Sequence, residues 1–327
     1  MIAAGNELLE AGRRALASGD PVAAALAFEQ AFIVQPALID AYRSTTVSSG
    51  ARELSLLAHS TIRDNHMRRY AVTLRPLEDL FGSPSLQRVH AFTRIFHGFD
   101  SVPVMHPMQK PSYHAFPGLR AQAWWDATTF SWSQNLIQAA SQIRSELEAA
   151  LSAASLQPYV PQTHTEPGWE TLRGRLTWGS LHLLKAGRTT DHAPKFSRTI
   201  SALKSMPLAE IEGQAPEAFF SVLQPGTRIP PHTGLANTKL TVHLPLLVNS
   251  ECMLRVGGEA RAWVADSIAL FDDSFVHEAC NLGQTDRIVL ITEIWHPELS
   301  AAERQGLSAV VASYEQWQAD VRATVEA

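Results

Sequence analysis

The spacing of hydrophobic positions changes along the chain. Up to about residue 151 they recur mostly at helical spacing, and beyond Leu172 they alternate. Residues 6–35 predict two amphipathic helices. The first spans about 6–18, and Gly19 stops it; Asp20 suits the cap of the second and Pro21 its first position. Ala24, Phe28 and Ala31 share one face of that second helix, and Pro36 ends it. Residues 131–151 predict a long helix with Leu136, Ala139, Ile143 and Leu147 on one stripe. Between them, residues 82–110 have mixed polarity and little periodicity. This places a boundary between a helical region, 1–85, and a second domain, 86–327.

In the second domain, residues 219–223, 239–246, 267–271 and 287–295 predict strands. Along 239–246, Leu240, Val242, Leu244 and Leu246 point one way, and Lys239, Thr241 and His243 the other. Short strands parted by Gly, Pro and Asn turns point to an α+β chain with a jelly-roll or cupin-like barrel. A C-terminal helix over 301–325 carries Leu307, Val310, Val311, Tyr314 and Trp317, expected against the outside of the barrel.

Composition narrows the classes. A formal net charge of −5 over 327 residues argues against general nucleic-acid binding, which needs surplus cations. Two cysteines, Cys252 and Cys280, are too few for a disulfide framework and read as buried thiols. No long apolar run suggests a membrane span or signal peptide, so a cytoplasmic protein is expected. Gly12, Gly19, Ala24, Phe28, Ala31 and Pro36 resemble one tetratricopeptide hairpin. That implies either a helical cap or a docking surface for a protein partner.

The candidate chemistry lies in residues 219–299. His232 and His277, 45 positions apart, fit the two-histidine spacing of jelly-roll oxygenases, and neutral imidazoles suit iron(II). Arg287, ten positions beyond His277, begins a strand on the face shared by Val289, Ile291 and Glu293. It could offer two parallel hydrogen bonds to a carboxylate. Taken singly, each residue has a plain structural reading: a surface histidine, a strand-edge arginine.

The wider wording resembles the aspartyl/asparaginyl β-hydroxylase family over roughly residues 110–300. The resemblance rests on Phe116-Pro117-Gly118-Leu119, Trp124-Trp125 and the helix ending Ile143-Arg144-Ser145-Glu146-Leu147. It continues through Ser221, Pro225-Gly226-Thr227, Pro231-His232-Thr233-Gly234, Asn237 and His243-Leu244. It ends with Phe271-Asp272-Asp273-Ser274-Phe275, His277-Glu278, Arg287 and Trp295-His296-Pro297-Glu298-Leu299. The resemblance implies a double-stranded β-helix dioxygenase with Fe(II) on His232 and His277. It implies 2-oxoglutarate as co-substrate, its far carboxylate on Ser221 and Arg287 and its chelating end near His243, and dioxygen as oxidant. The implied reaction is hydroxylation of an unactivated carbon, such as the β-carbon of an aspartyl, asparaginyl or related residue, with succinate and CO2 as co-products. The expected partner is a peptide, protein or amino-acid substrate.

Two positions qualify this. The usual third iron ligand, a carboxylate two residues after the first histidine, is Gly234 here, as in the family. A small residue there also occurs in related halogenases, which leaves chlorination as an alternative. Asp272 and Asp273 read either as partners orienting an imidazole or as turn residues. On the substrate side, the animal enzymes carry two arginines just before the histidine matching His243; here those positions are Lys239 and Thr241. Lys239 is thus a candidate substrate cation, and Arg188 either a second one or a plain surface arginine. The rival classes are a helical-repeat binding protein with an inactive cupin, and a zinc hydrolase or isomerase on the same barrel.

Overall fold

A computed structural model describes residues 2–102, 106–151, 156–211 and 213–326. Residues 103–105 of the expected boundary stretch lie outside the described residues. The chain divides into two compact units, Met1–Asp100 with Gln305–Ala327, and Ser101–Arg304.

The first unit is helical. α1 (Ile2–Ala17) and α2 (Pro21–Val34) form the expected hairpin. The Asp20 side chain caps α2 by accepting from the Ala23 N–H at 2.9 Å. A methyl group on Gly12 would stand 2.5 Å from the Phe28 ring, so glycine is what lets the two helices touch. Beyond α2 the chain forms no second short hairpin but one helix, α3 (Ser49–Phe81), of 33 residues. α4 (Gln87–Phe96) then occupies a stretch where no element was expected; its buried face is only Val89, Phe92 and Thr93, too short a stripe to announce itself.

Among the described residues, the second unit holds α5 (Trp132–Leu151), α6 (Ser197–Lys204) and twelve strands. In chain order these are β1 (Trp124–Trp125), β2 (Gln157–Pro158), β3 (Trp178–Lys185), β4 (Arg188–Thr189), β5 (Ala218–Leu223) and β6 (Thr227–His232). The remaining strands are β7 (Lys239–Leu247), β8 (Cys252–Val256), β9 (Glu259–Ala262), β10 (Ala269–Phe271), β11 (His277–Asn281) and β12 (Arg287–Trp295). The major sheet runs β1-β10-β7-β12-β5-β3-β2, with β4 on β3, and the minor sheet runs β6-β11-β8-β9, every named pairing antiparallel. Two antiparallel sheets with flanking helices make this the expected α+β, double-stranded β-helix class.

Period-2 alternation sorts the major sheet into two faces. Outward, Leu240, Val242 and Leu244 of β7, Phe220 and Val222 of β5 and Leu290 of β12 pack with Leu136, Ile143 and Leu147 of α5. Inward residues, among them Val289 and Phe271, meet Leu254 and Val256 of the minor sheet and Trp263. Both cysteines are free thiols; Cys252 is buried and Cys280 half-buried.

α7 (Ala301–Glu326) departs from expectation. Its Trp317 and Val321 cluster with Ala25 of α2, and the Trp317 indole donates to Glu29 at 2.7 Å. An amphipathic stripe shows that a helix will be covered but does not say by what. Among the described residues no helix is long and apolar enough to cross a membrane.

A candidate two-histidine centre

His232 and His277 are cross-strand partners in the minor sheet. His232 is the last residue of β6, a strand outside those the alternation predicts. The two rings lie 4.1 Å apart, centroid to centroid. Each is aimed by its own chain: Nδ1 of His232 bonds the Pro230 carbonyl at 2.8 Å, and Nδ1 of His277 the Phe275 carbonyl at 2.9 Å. A carbonyl only accepts, so Nδ1 carries the proton in both rings and the lone pair sits on Nε2. Burial, with the neighbouring His277, lowers the pKa of His232 to about 4; burial also lowers that of His277. Both rings are therefore neutral at pH 7 and present paired Nε2 donors, which suits a divalent metal.

The cavity these rings line measures about 450 Å³. Ser221, His243, Lys239 and Arg287 line it as well; Arg188 is exposed on β4 and is not among the lining residues. Arg287 is 1% exposed and lies with its guanidinium 4.9 Å from the Trp263 ring centroid. Burial lowers its pKa to about 10, which leaves it charged at pH 7. Its Nε has no hydrogen-bond partner, an arrangement that is costly for a buried cation unless a ligand completes it. The Ser221 hydroxyl accepts from Trp178 Nε1 at 2.9 Å and from Arg287 at 3.4 Å. With both lone pairs used, its proton is left to donate.

His243 is buried on the inward face of β7. Its Nδ1 accepts from the Trp263 indole at 3.2 Å, so its proton sits on Nε2. Burial and then Arg287 push its pKa well below the usual histidine range. Trp178 and Trp263 are functional neighbours that the sequence reading missed, since each reaches its partner from another part of the chain.

Among the described residues no third His, Cys, Asp or Glu joins the pair to make a three-donor cluster. Gly234 bears on this. A Cβ there would stand 2.3 to 2.5 Å from the Asp273 carboxylate, which therefore occupies the space a side chain at 234 would enter. Burial raises the pKa of Asp273. Asp272 has the structural role: its carboxylate accepts from the Ser274 N–H at 2.9 Å and from Gln109 at 2.8 Å, and neither imidazole leans on it. Two other motif residues are also structural. Asn237 pairs with the Phe116 backbone in both directions, and Glu298 with Arg120.

Known proteins carry the same wording. The family model described as aspartyl/asparaginyl beta-hydroxylase matches residues 138–297, a segment that includes Ser221, His232, His243, His277 and Arg287. Aspartyl/asparaginyl beta-hydroxylase from Homo sapiens is 31% identical over 200 residues, covering 59% of this chain and 25% of that protein. Aspartate beta-hydroxylase domain-containing protein 2 from Xenopus tropicalis is 32% identical over 213 residues, covering 63% of this chain and 55% of that protein. The chain thus spans between a quarter and just over half the length of these relatives. Among solved structures, the Schizosaccharomyces pombe Cnp3 cupin domain overlaps at a TM-score of 0.27 with 10% identity, over 44% of this chain and 71% of that one. That likeness is too slight to bear on the fold, which stands on the pairings given above. By sequence, the segment 138–297 is similar to the aspartyl/asparaginyl β-hydroxylase family.

Proposed function

We propose that the protein is an Fe(II)- and 2-oxoglutarate-dependent dioxygenase that hydroxylates an unactivated carbon of an amino-acid residue in a peptide or protein. The observation that carries this is the pair of backbone-anchored imidazoles, His232 and His277, sharing one cavity with the buried, incompletely satisfied Arg287. With iron and 2-oxoglutarate bound, the chemistry supplied is the conversion of C–H, O2 and 2-oxoglutarate into C–OH, succinate and CO2, one oxygen atom entering each organic product.

The chain's own residues bind, orient and exclude water. His232 and His277 hold the metal through Nε2. Arg287 and the Ser221 hydroxyl hold the far carboxylate of 2-oxoglutarate, a charge-assisted contact made stronger by burial. The Nε2–H of His243 donates toward the chelating end. The indoles of Trp178 and Trp263 wall the charged end from water. Asp273 bears on the halogenase alternative: its carboxyl group fills the space beside Gly234 that a halide would need. Hydroxylation is the reading this supports.

The test supplies the purified chain with Fe(II), 2-oxoglutarate and 18O2, and follows succinate together with substrate mass. The expected product gains one 18O atom, and His232→Ala or His277→Ala abolishes substrate-dependent succinate formation. Undiminished succinate formation in either variant overturns the assignment.

A further inference from the structure

The end of the cavity away from Arg287 carries charges that a five-carbon co-substrate does not reach. On β12, Ile291 lies level with His243, and Glu293 lies two positions further on. On β7, Lys239 lies four positions before His243, about 13 Å along the strand at about 3.3 Å per residue. Glu217, immediately before β5, lines the same end. These residues face whatever is oxidised.

Their pairing decides what that can be. The Lys239 ammonium lies 2.5 Å from Glu293, with each side chain only 12% exposed. Burial opposes its charge, but Glu293, then Asp273 and Glu217, outweigh that and raise its pKa. Lys239 is thus a cation already matched. The position of the family's second arginine is Thr241, which is neutral. Against this single matched ammonium stand two glutamates, with Asp273 also on the cavity wall. Glu217 accepts from the Ala186 N–H at 2.7 Å and lies 3.1 Å from His182 Nε2, and a carboxylate has about four lone-pair sites, so capacity remains. An aspartyl carboxylate arriving here would find no unmatched cation. A cation would find Glu217 and Glu293, set beside the stacked rings of Tyr159 and Phe219 in the cavity wall. The carboxylates do not by themselves make a ligand site; the cavity and its buried, unsatisfied Arg287 do that, and the carboxylates set what it accepts.

We propose that the substrate presents a positively charged amine to Glu217 and Glu293, so that the chain selects a basic residue for oxidation where its animal relatives' two arginines suit an acidic one. This rests on the hydroxylase reading for the reaction, but not for the binding preference.

The test separates the two. Blocked pentapeptides with a central lysine or aspartate among glycines are titrated calorimetrically into the full chain holding Mn(II) and 2-oxoglutarate. The lysine peptide binds at least about tenfold more tightly, Glu217→Gln shrinks that margin, and Glu217→Lys reverses it. Free lysine, as a third arm, tells a side-chain amine from an α-amine; tighter binding of either form supports the proposal. Equal or tighter binding of the aspartate peptide, no binding of any amine probe, or a preference unchanged in Glu217→Lys overturns it. Succinate formed from Fe(II), O2 and 2-oxoglutarate in the presence of the tighter-bound probe is measured in parallel. Its absence overturns the hydroxylase reading and leaves the charge preference standing on the titrations.

Discussion

Each unit of the chain contains a close pair of buried or half-buried histidines, yet only one pair is a candidate centre. In the helical unit His66 and His97 stack with centroids 4.5 Å apart; in the β unit His232 and His277 lie 4.1 Å apart. Proximity and burial do not separate them. The difference is which ring nitrogen is spent. His66 gives Nε2 to Glu29 at 2.9 Å, and His97 uses Nε2 for the Tyr70 hydroxyl at 2.8 Å. Glu29 is itself held by Trp317 and Gln318. In that polar network the partners come from three helices and take Nε2 of both rings, while His66 Nδ1 stays buried without a partner. In the β unit each ring spends Nδ1 on a carbonyl two residues back in its own chain, so its orientation costs nothing at Nε2. His232 and His277, held at Nδ1 by their own backbone, keep a matched pair of Nε2 nitrogens facing one cavity, whereas His66 and His97 have spent Nε2 on other side chains and are not among the residues lining that cavity.

The sharpest way to break this contrast is metal affinity. Removing partners that merely orient a ligating imidazole costs roughly 10–100-fold in affinity, so removing an imidazole itself should cost more than about a hundredfold. His232→Ala and His277→Ala should each weaken Mn(II) binding by at least that factor, whereas His66→Ala should leave it unchanged. Calorimetric titration reads both. Equal losses in all three variants would abolish the distinction drawn from the ring nitrogens.

The converse is a stability effect. Glu29→Ala strands the Trp317 N–H and His66 in a closed interior, and an orphaned buried network of this kind costs about 2–4 kcal/mol. His232→Ala, at the wall of a cavity, should cost less than about 1 kcal/mol. Urea denaturation followed by circular dichroism checks the order; a larger loss in His232→Ala reverses it.

How much of this was legible varies with the length of the pattern. β12 was readable to the residue because its nine positions alternate between the helix layer and the cavity, and β7 nearly so. β6 was not, since Pro230-Pro231 interrupt the pattern just where His232 is placed. β8, Cys252–Val256, alternates buried and exposed and could have been found by a shorter window. Motif wording gave Ser221, His232, His243, His277 and Arg287, all of which line one cavity. What the sequence withheld was pairing across distance. Trp178 reaches Ser221 from 43 positions away, Trp263 reaches His243 from 20, and Glu293 reaches Lys239 from 54. Lys239 was visible as a cation; that its charge is already matched was not.

The smallest effect is the share of the pH dependence that His97 contributes. Burial, then the neighbouring His66 and Arg63, lowers the pKa of His97 to about 3, against about 6.5 for an exposed histidine. The unfolded chain therefore takes up a proton on falling through about pH 6.5 that the folded chain declines until near pH 3. Through that window the unfolded state holds more protons, so stability falls as pH falls. The barrel histidines act in the same direction, so the contribution of His97 must be read as a difference between variants. His97→Gln keeps a polar partner for Tyr70 and removes the titration. The full-length variant should lose less melting temperature than the parent between pH 7 and pH 5, by on the order of 2–4 °C. Parallel melting curves for the two proteins across that range would show that His97 does not carry the proton linkage its surroundings impose.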